Sequence, residues 1–256
     1  MNMLRTRVIP VLLLNNESLV KTVKFRNFTY VGDPCNTVTI FNEIEVDELI
    51  FLDIAAGKLE TGPNFKLLRG IADECFMPLC YGGGIRTLDD AKAVMDIGFE
   101  KIIVNSTAFE KPELILEISN YFGSQAVIVS IDIKANIFGR KTVRTKSGKF
   151  NTGLDPVKWA EEVVKLGAGE LFITSIDREG TWSGFDLDII EKISNKVSVP
   201  VIAHGGGGSI DHIKDAVKDA GASAAALGSM VIFQKKGMGV LVNFPSQEIL
   251  NEILSL

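Results

Sequence analysis

The sequence has few of the residues that build metal centres and disulfide frameworks. Only three cysteines (Cys35, Cys75, Cys80) and two histidines (His204, His212) occur in 256 residues. An odd, sparse set of cysteines argues against a disulfide framework and favours a reducing compartment. Two histidines without a CxxC pair do not support a zinc site, and a dinucleotide-binding fingerprint is missing. We therefore expect no metal and no cofactor.

Long hydrophobic runs are also missing, and a membrane span needs about 20 apolar residues. The apolar stretch at 8–14 follows Arg5 and Arg7, but it is short and no small-residue cleavage site comes after it. This pattern does not fit a signal peptide. We expect a cytoplasmic protein that has no membrane partner.

Positive charge is not in excess, because the formal net charge is −5. This balance excludes a generally basic surface for nucleic acid but leaves room for a local anion site. Hydrophobic residues make up 46% and charged residues 23% of the chain, as in an ordinary globular protein.

Short β-rich apolar runs alternate with amphipathic stretches along the whole chain. Helical patterns cover 88–98, 156–167 and 209–221. Such alternation predicts a parallel sheet with helical crossovers, and eight units in about 250 residues predict one α/β domain over 1–256, a closed (β/α)8 (TIM) barrel. The open doubly wound sheet is the alternative, but it usually has fewer strands and a glycine fingerprint after the first. The eight runs lie at 8–14, 48–54, 78–83, 101–106, 126–133, 170–176, 200–206 and 223–229.

The first four runs recur in the same order in the second half of the chain. VIPVLLL at 8–14 aligns with VIVSIDI at 127–133, and YGGGI at 81–85 aligns with HGGGG at 204–208. The repeat predicts two duplicated half-barrels, about 1–123 and 124–256.

Glycine-rich turns follow the corresponding strand of each half. Gly82, Gly83 and Gly84 form one turn, and the run from Gly205 and Gly206 to Gly208 forms the other. Exposed backbone amides in such turns can bind phosphate. Asn105 and Ser106 end the next strand in the first half, as Gly228 and Ser229 do in the second. The paired pattern predicts a phosphorylated ligand that uses one or both turns.

Carboxylates at strand ends are candidate acid–base groups, since an unpaired acid inside a small barrel is unfavourable. Asp132 ends a strand between Ile131 and Ile133, which favours a catalytic role. Asp53 and Asp177 fit a catalytic role and a structural cap equally well. The repeat aligns Asp132 with Leu13, which cannot transfer a proton.

A second group of charges lies at the opposite ends of the strands. It consists of Arg7, Glu48, Lys101 and Glu170, and the repeat aligns the two glutamates with each other. On these residues alone, a stabilising ion cluster at the bottom of the barrel is the favoured interpretation.

Several stretches together resemble the cyclase subunit of the imidazole glycerol phosphate synthase family over essentially the whole chain. They include YGGGIRTLDDA, FGSQAVIVSIDIK and GAGELFITSIDREGT. The resemblance implies a duplicated barrel that takes ammonia from a glutaminase docked at its bottom. It further implies that the ammonia passes through the barrel to a phosphorylated nucleotide at the top.

By position, the resemblance implies that Asp132 is one of two catalytic aspartates and that the glycine turns bind phosphate. The bottom charges Arg7, Glu48, Lys101 and Glu170 would be the ammonia gate. Glu100 and Gln125 would face the glutaminase.

The top of the barrel departs from the family pattern. Leu13 stands at the position of the other catalytic aspartate, and LLNNESLVKT replaces the usual DVKDGRVVKG, although Lys21 persists. Glu179, Trp182 and His204 also differ from the usual residues. KFRNFTYVGDPCNTV and GMGVLVNFP are similar to a divergent branch associated with amidation of surface-polysaccharide sugars.

Three hypotheses follow from this pattern. The favoured one is an ammonia-channelling subunit of a glutamine amidotransferase that supplies a sugar-amidating enzyme. The second is a true cyclase of histidine biosynthesis acting on its phosphorylated substrate. The third is a docking scaffold that only activates a glutaminase.

Overall fold

Eight parallel strands close into a barrel in the computed structural model, which describes residues 6–56 and 62–254. The first barrel strand pairs with the second at Val11–Ile50 and with the last at Ile9–Ala226, and the fifth pairs with the sixth at Asp132–Thr174. The eight strands therefore form a closed ring. The predicted (β/α)8 barrel is therefore confirmed. The barrel strands are β1 (Arg7–Asn15), β4 (Leu49–Asp53), β5 (Leu79–Gly82), β6 (Lys101–Val104), β7 (Val127–Ala135), β10 (Glu170–Ser175), β11 (Val201–His204) and β12 (Ala224–Leu227).

Four further strands form hairpins that extend β1 and β7 beyond the barrel. β2 (Ser18–Val23) and β3 (Arg26–Gly32) follow β1, and β8 (Lys141–Thr145) and β9 (Phe150–Asn151) follow β7. The hairpins stand at the same place in each half, which fits the internal repeat. They rise from the carboxyl ends of the strands, called the top of the barrel below.

The helices surround the barrel, and some of them start at recognisable caps. Thr87 and Asp90 form a capping box, and Asp155 caps a helix whose first residue is Pro156. The helices are α1 (Pro34–Ile44), α2 (Phe65–Asp73), α3 (Leu88–Ile97), α4 (Ser106–Glu110), α5 (Glu113–Phe122), α6 (Pro156–Lys165), α7 (Leu187–Ser194), α8 (Ile210–Lys214), α9 (Ser229–Ile232) and α10 (Gln247–Leu254). A π-helical turn, Asp215–Asp219, continues α8.

Alternation along the strands divides the apolar side chains between two cores. The larger core lies between strands and helices and contains Leu12, Phe51 and Val129. The smaller core fills the barrel itself and contains Ile9, Val11, Leu13, Ile50, Cys80, Ile103, Ile128, Phe172, Ile202 and Ala224. The same alternation points Arg7 inward below Ile9, and Asp132 inward above Ile128 and Ser130. In the described part of the chain, no helix is both long and apolar enough to span a membrane.

Candidate functional site at the two ends of the barrel

Four charged side chains close the bottom of the barrel, and we call them the bottom ring. Arg7 Nη1 lies 2.5 Å from Glu48 Oε2, and Arg7 Nη2 lies 2.7 Å from Glu170 Oε2. Lys101 Nζ lies 3.0 Å from Glu48 Oε1 and 2.8 Å from Glu170 Oε1. Each cation therefore bridges both carboxylates, and positive and negative charges alternate around the ring.

Ion pairs within the bottom ring offset the unfavourable burial of its charged side chains. Burial alone would raise the pKa of Glu48, but Arg7 and Lys101 outweigh it and hold that pKa below its usual range. Burial would lower the pKa of Lys101, yet the two glutamates raise it. Arg7, Lys101 and Glu48 are therefore charged at neutral pH.

A buried thiol lies directly inside the ring. Cys80 Sγ donates to Glu48 Oε1 across 2.7 Å, and burial, reinforced by Glu48, raises the pKa of this thiol well above its usual range. Cys80 therefore remains a neutral donor. Beyond it the interior of the barrel is apolar, with Ile9, Ile50 and Phe172 around the axis.

The top of the barrel opens into a cavity of about 540 Å³, which is large enough for a small organic ligand. Strand ends from both halves line it, and the β2–β3 hairpin covers one side with Phe25 and Phe28. The cations Arg86, Lys146 and Lys149 also line the cavity. The acids Asp53, Glu110, Asp132 and Glu179 line it as well, so the cavity offers apolar walls together with charges of both signs.

Asp132 lies at the floor of this cavity and is only 8% exposed. Ser130 Oγ donates to Asp132 Oδ1 across 3.3 Å, while burial raises the pKa of Asp132 to about 7 against the partial compensation of Ser130, Thr174 and Asn105. A carboxyl group that titrates near neutrality can both accept and donate a proton. Leu13 also lines the cavity and supplies no second carboxylate.

His204 lies beside the same floor as a neutral imidazole. Its Nδ1 is 3.1 Å from Thr174 Oγ1, and its ring packs on Phe172 at a centroid distance of 4.8 Å. Burial, with a smaller effect of Lys21, lowers the pKa of His204 to about 3. The histidine therefore offers a ring nitrogen without positive charge at neutral pH.

Lys21 and Glu179 form a buried pair that the sequence did not indicate. Lys21 is 4% exposed, and its Nζ donates to the carbonyl oxygen of Val11. Burial lowers the pKa of Lys21 to about 8, while the charge of Glu179 opposes this change. Glu179 accepts from Thr22 Oγ1 and Phe25 N, both at 3.0 Å, which fixes the hairpin to the second half of the barrel.

The two glycine turns occupy equivalent places but have different surroundings. Gly82, Gly83 and Gly84 line the large cavity together with Asn105 and Ser106. The other turn borders a crevice of about 10 Å³, which accommodates about one water at most. That crevice is lined by Gly205, Gly206, Gly207, Gly228 and Ser229, with Glu179, Gly180, His204 and Ala226.

The two remaining strand-end acids accept hydrogen bonds from the backbone, Asp53 within its own loop and Asp177 from the end of a neighbouring strand. Asp53 Oδ1 accepts from the backbone of Ala55 and Ala56 at 2.9 Å, and Asp177 Oδ2 accepts from Ala135 N at 2.8 Å. These contacts favour the structural interpretation of both acids.

Glu100 and Gln125 are exposed at the bottom of the barrel, each just before a strand begins. Gln125 Nε2 donates to Phe122 O, 2.8 Å away. Both residues lie on the same end of the barrel as the bottom ring. Within the described ranges, His, Cys, Asp and Glu side chains do not cluster in a way that could hold a metal ion.

Fold and site together define a class: a (β/α)8 barrel protein with a charged bottom and a ligand-sized cavity at the top. The model of the family described as "Histidine biosynthesis protein" matches residues 7–237, and the chain belongs to this family. The family predicted from the sequence is confirmed at this level.

Three curated relatives are named as subunits of the same enzyme, imidazole glycerol phosphate synthase. "Putative imidazole glycerol phosphate synthase subunit HisF" of Leptospira borgpetersenii is 46% identical over 245 residues, covering 95% of this chain and 96% of that protein. "Putative imidazole glycerol phosphate synthase subunit hisF2" of Pseudomonas aeruginosa is 46% identical over 95% of this chain and 97% of its own length. "Imidazole glycerol phosphate synthase subunit HisF" of Streptococcus sanguinis is 40% identical over 89% and 90%, respectively. This chain is therefore HisF-like over nearly its whole length.

Proposed function

We propose that this chain is the barrel subunit of a glutamine amidotransferase, in which a glutaminase docks at the bottom and supplies ammonia through the barrel. The observation that carries the proposal is the bottom ring. Its four charges of alternating sign close the bottom of the barrel, directly below the apolar part of the interior. Relatives named as synthase subunits support the same assignment.

The interior determines which form of ammonia can cross. Beyond Cys80 the barrel axis is lined by Ile50, Phe172 and Ile202. An ammonium ion would lose its hydration there without a counter-charge, whereas neutral ammonia would not bear that cost. The ring must therefore open to admit neutral ammonia, and its paired charges keep the entrance closed to ions.

Of the two catalytic carboxyl groups that the family resemblance implies at the top, only Asp132 is present. Asp132 titrates near neutrality, but Leu13 faces the cavity where the family pattern has the other aspartate. Losing one member of such a pair commonly lowers turnover by about 10²–10⁴-fold. We infer that the ammonia serves amidation of a surface-polysaccharide sugar by a separate enzyme, and that histidine-pathway cyclisation is lost.

Two proposals follow from this role for the individual residues. Glu100 and Gln125 contact the glutaminase, since they are exposed on the bottom face beside the ring. The chain works as one domain of two half-barrels, about 1–123 and 124–256, because closure of the sheet needs strands from both.

The docking proposal is tested with a glutaminase subunit of the imidazole glycerol phosphate synthase type. Sedimentation should show a one-to-one complex with wild type, and Gln125→Arg should abolish it. The matched control is Ile137→Arg, because Ile137 is 93% exposed on a turn at the top of the barrel. Equal binding by both variants, or loss with the control alone, would overturn docking at the bottom.

A further inference from the structure

We propose that the β2–β3 hairpin and Lys21 permanently fill the second glycine turn, so that this barrel holds its ligand by one phosphate at the first turn. This inference rests on the proposed function, because it takes the glycine turns as phosphate sites. It narrows the ligand to small molecules that carry a single terminal phosphate.

The first turn borders the large cavity at the top of the barrel. Gly84 adopts a left-handed backbone (φ +69°), and a Cβ there would lie 2.9 Å from the Cβ of Ala56. Gly82, Gly83 and Gly84 line the cavity of about 540 Å³ without side chains, so their backbone can approach a ligand closely. Lys146 also lines the cavity. Its backbone nitrogen donates to Ser106 Oγ, 2.9 Å away, and its Nζ lies 3.0 Å from Glu110 Oε1.

The second turn has no comparable room. Its crevice of about 10 Å³ cannot accept a phosphate, which has five heavy atoms. A Cβ on Gly228 would lie 3.0 Å from Lys21 Nζ and 3.9 Å from His204 Nε2. A Cβ on Gly208 would lie 2.8 Å from the Cβ of Trp182. Side chains of this protein thus occupy the space in front of the turn.

The hairpin is fixed in this position by three hydrogen bonds to Glu179. The backbone nitrogen of Lys24 donates to Glu179 O at 3.0 Å, in addition to the two bonds that the Glu179 carboxylate accepts from the hairpin. Lys21 already has Val11 O as a hydrogen-bond partner and the charge of Glu179 nearby. The ammonium group therefore does not need a phosphate to complete its surroundings.

The remainder of the ligand has a defined place. A molecule with its phosphate at Gly84 and Ser106 would extend under Phe25 and Phe28 towards Asp132. A ligand with phosphates at both ends would need the second turn and would be excluded there.

The experiment uses inorganic phosphate and the whole chain, with calorimetry for the number of sites and 31P NMR for exchange. Wild type should bind one phosphate. Ser106→Asp should weaken binding at least ~10-fold because it sets like charges side by side, whereas the symmetry-related Ser229→Asp should change it less than ~2-fold. Aspartate is favourable in the first turn of a helix, so both variants should fold.

The variant Lys21→Met distinguishes a lysine that only fills the space in front of the second turn from a lysine that binds phosphate there. If Lys21 only fills the space, this nearly isosteric change leaves the single site unaltered. Two phosphates on wild type, one of them lost in Lys21→Met, would overturn the inference, since Lys21 would then be a phosphate ligand. Failure of phosphate to bind at all would also overturn it, without affecting the sedimentation result that tests the proposed function.

Discussion

The two ends of the barrel treat buried charge in opposite ways. At the bottom, Arg7 and Lys101 each bridge Glu48 and Glu170, so every charge has two partners. At the top, the neutral side chains of Ser130, Thr174 and Asn105 offset the burial of Asp132 only in part, and its pKa rises to about 7. The comparison separates charges that stabilise each other from a charge whose burial is only partly compensated. A partly compensated acid in a cavity is typical of a group that serves a ligand.

The largest expected effect is at the bottom ring. Glu48→Gln removes a charge that is 3% exposed and leaves Arg7 and Lys101 with one carboxylate between them. Breaking a buried ion pair on one side costs about 3–5 kcal/mol. We expect the free energy of unfolding in urea to fall by that amount.

The matched control for this change is Glu43→Gln, since Glu43 is an exposed residue of α1. A surface change of this kind should stay within about 0.5 kcal/mol. A cost for Glu48→Gln no larger than the control would mean that the ring does not stabilise the barrel.

Removing the buried charge at the top should raise the free energy of unfolding, whereas removing Glu48 at the bottom lowers it. The ordinary pKa of Asp132 is 3.8 and burial raises it to about 7, so the folded protein holds a proton that the unfolded chain has released between these values. Stability therefore falls as pH rises through this window, and the full penalty applies above it. Asp132→Asn should raise the free energy of unfolding at pH 8 by on the order of 3 kcal/mol.

The same variant should give no gain below about pH 3, where the acid is protonated in both states. Asp219→Asn, at an exposed position, should show little change at either pH. Urea unfolding of both variants at the two pH values checks the prediction. A gain that is independent of pH would contradict the assigned cause.

A smaller effect distinguishes backbone strain from the close packing around the first turn. Gly84 and Gly139 both have positive φ, +69° and +79°, but an added Cβ meets Ala56 and Gly62 at the first position and nothing within 4 Å at the second. Gly139→Ala should cost about 1–2 kcal/mol for strain alone. Gly84→Ala should cost about 1 kcal/mol more, measured by thermal unfolding. Equal costs would show that the first turn is not tightly packed.

The fold could be predicted because its signals are local. Each barrel strand is a short apolar run that stops at glycine or a polar residue, as in β5 and β11, and helix starts such as Thr87 and Asp155 carry cap residues. The hairpins were missed. The β2–β3 turn is made by Lys24 and Phe25 at positive φ, so the usual Asn-Gly or Asp-Gly signal is absent.

The sequence predicts residues of the candidate site only where they lie at the ends of strands. Asp132 and the bottom ring follow from inward alternation at the two ends of the strands. The contact of Glu179 with Thr22 joins residues 157 positions apart, and the thiol of Cys80 reaches Glu48 on another strand. Such contacts depend on barrel closure and leave no pattern in the sequence. The roles assigned to the site residues stay predictions.

The most direct test of the account is turnover of the histidine-pathway nucleotide with ammonium salts, since free ammonia makes the glutaminase unnecessary. Wild-type protein is assayed beside an authentic imidazole glycerol phosphate synthase cyclase subunit. With Leu13 in place of an acid and the second glycine turn filled, the account predicts turnover at least about 10²-fold below that of the authentic subunit. Turnover comparable to that of the authentic subunit would contradict it and identify this barrel as a histidine-pathway cyclase.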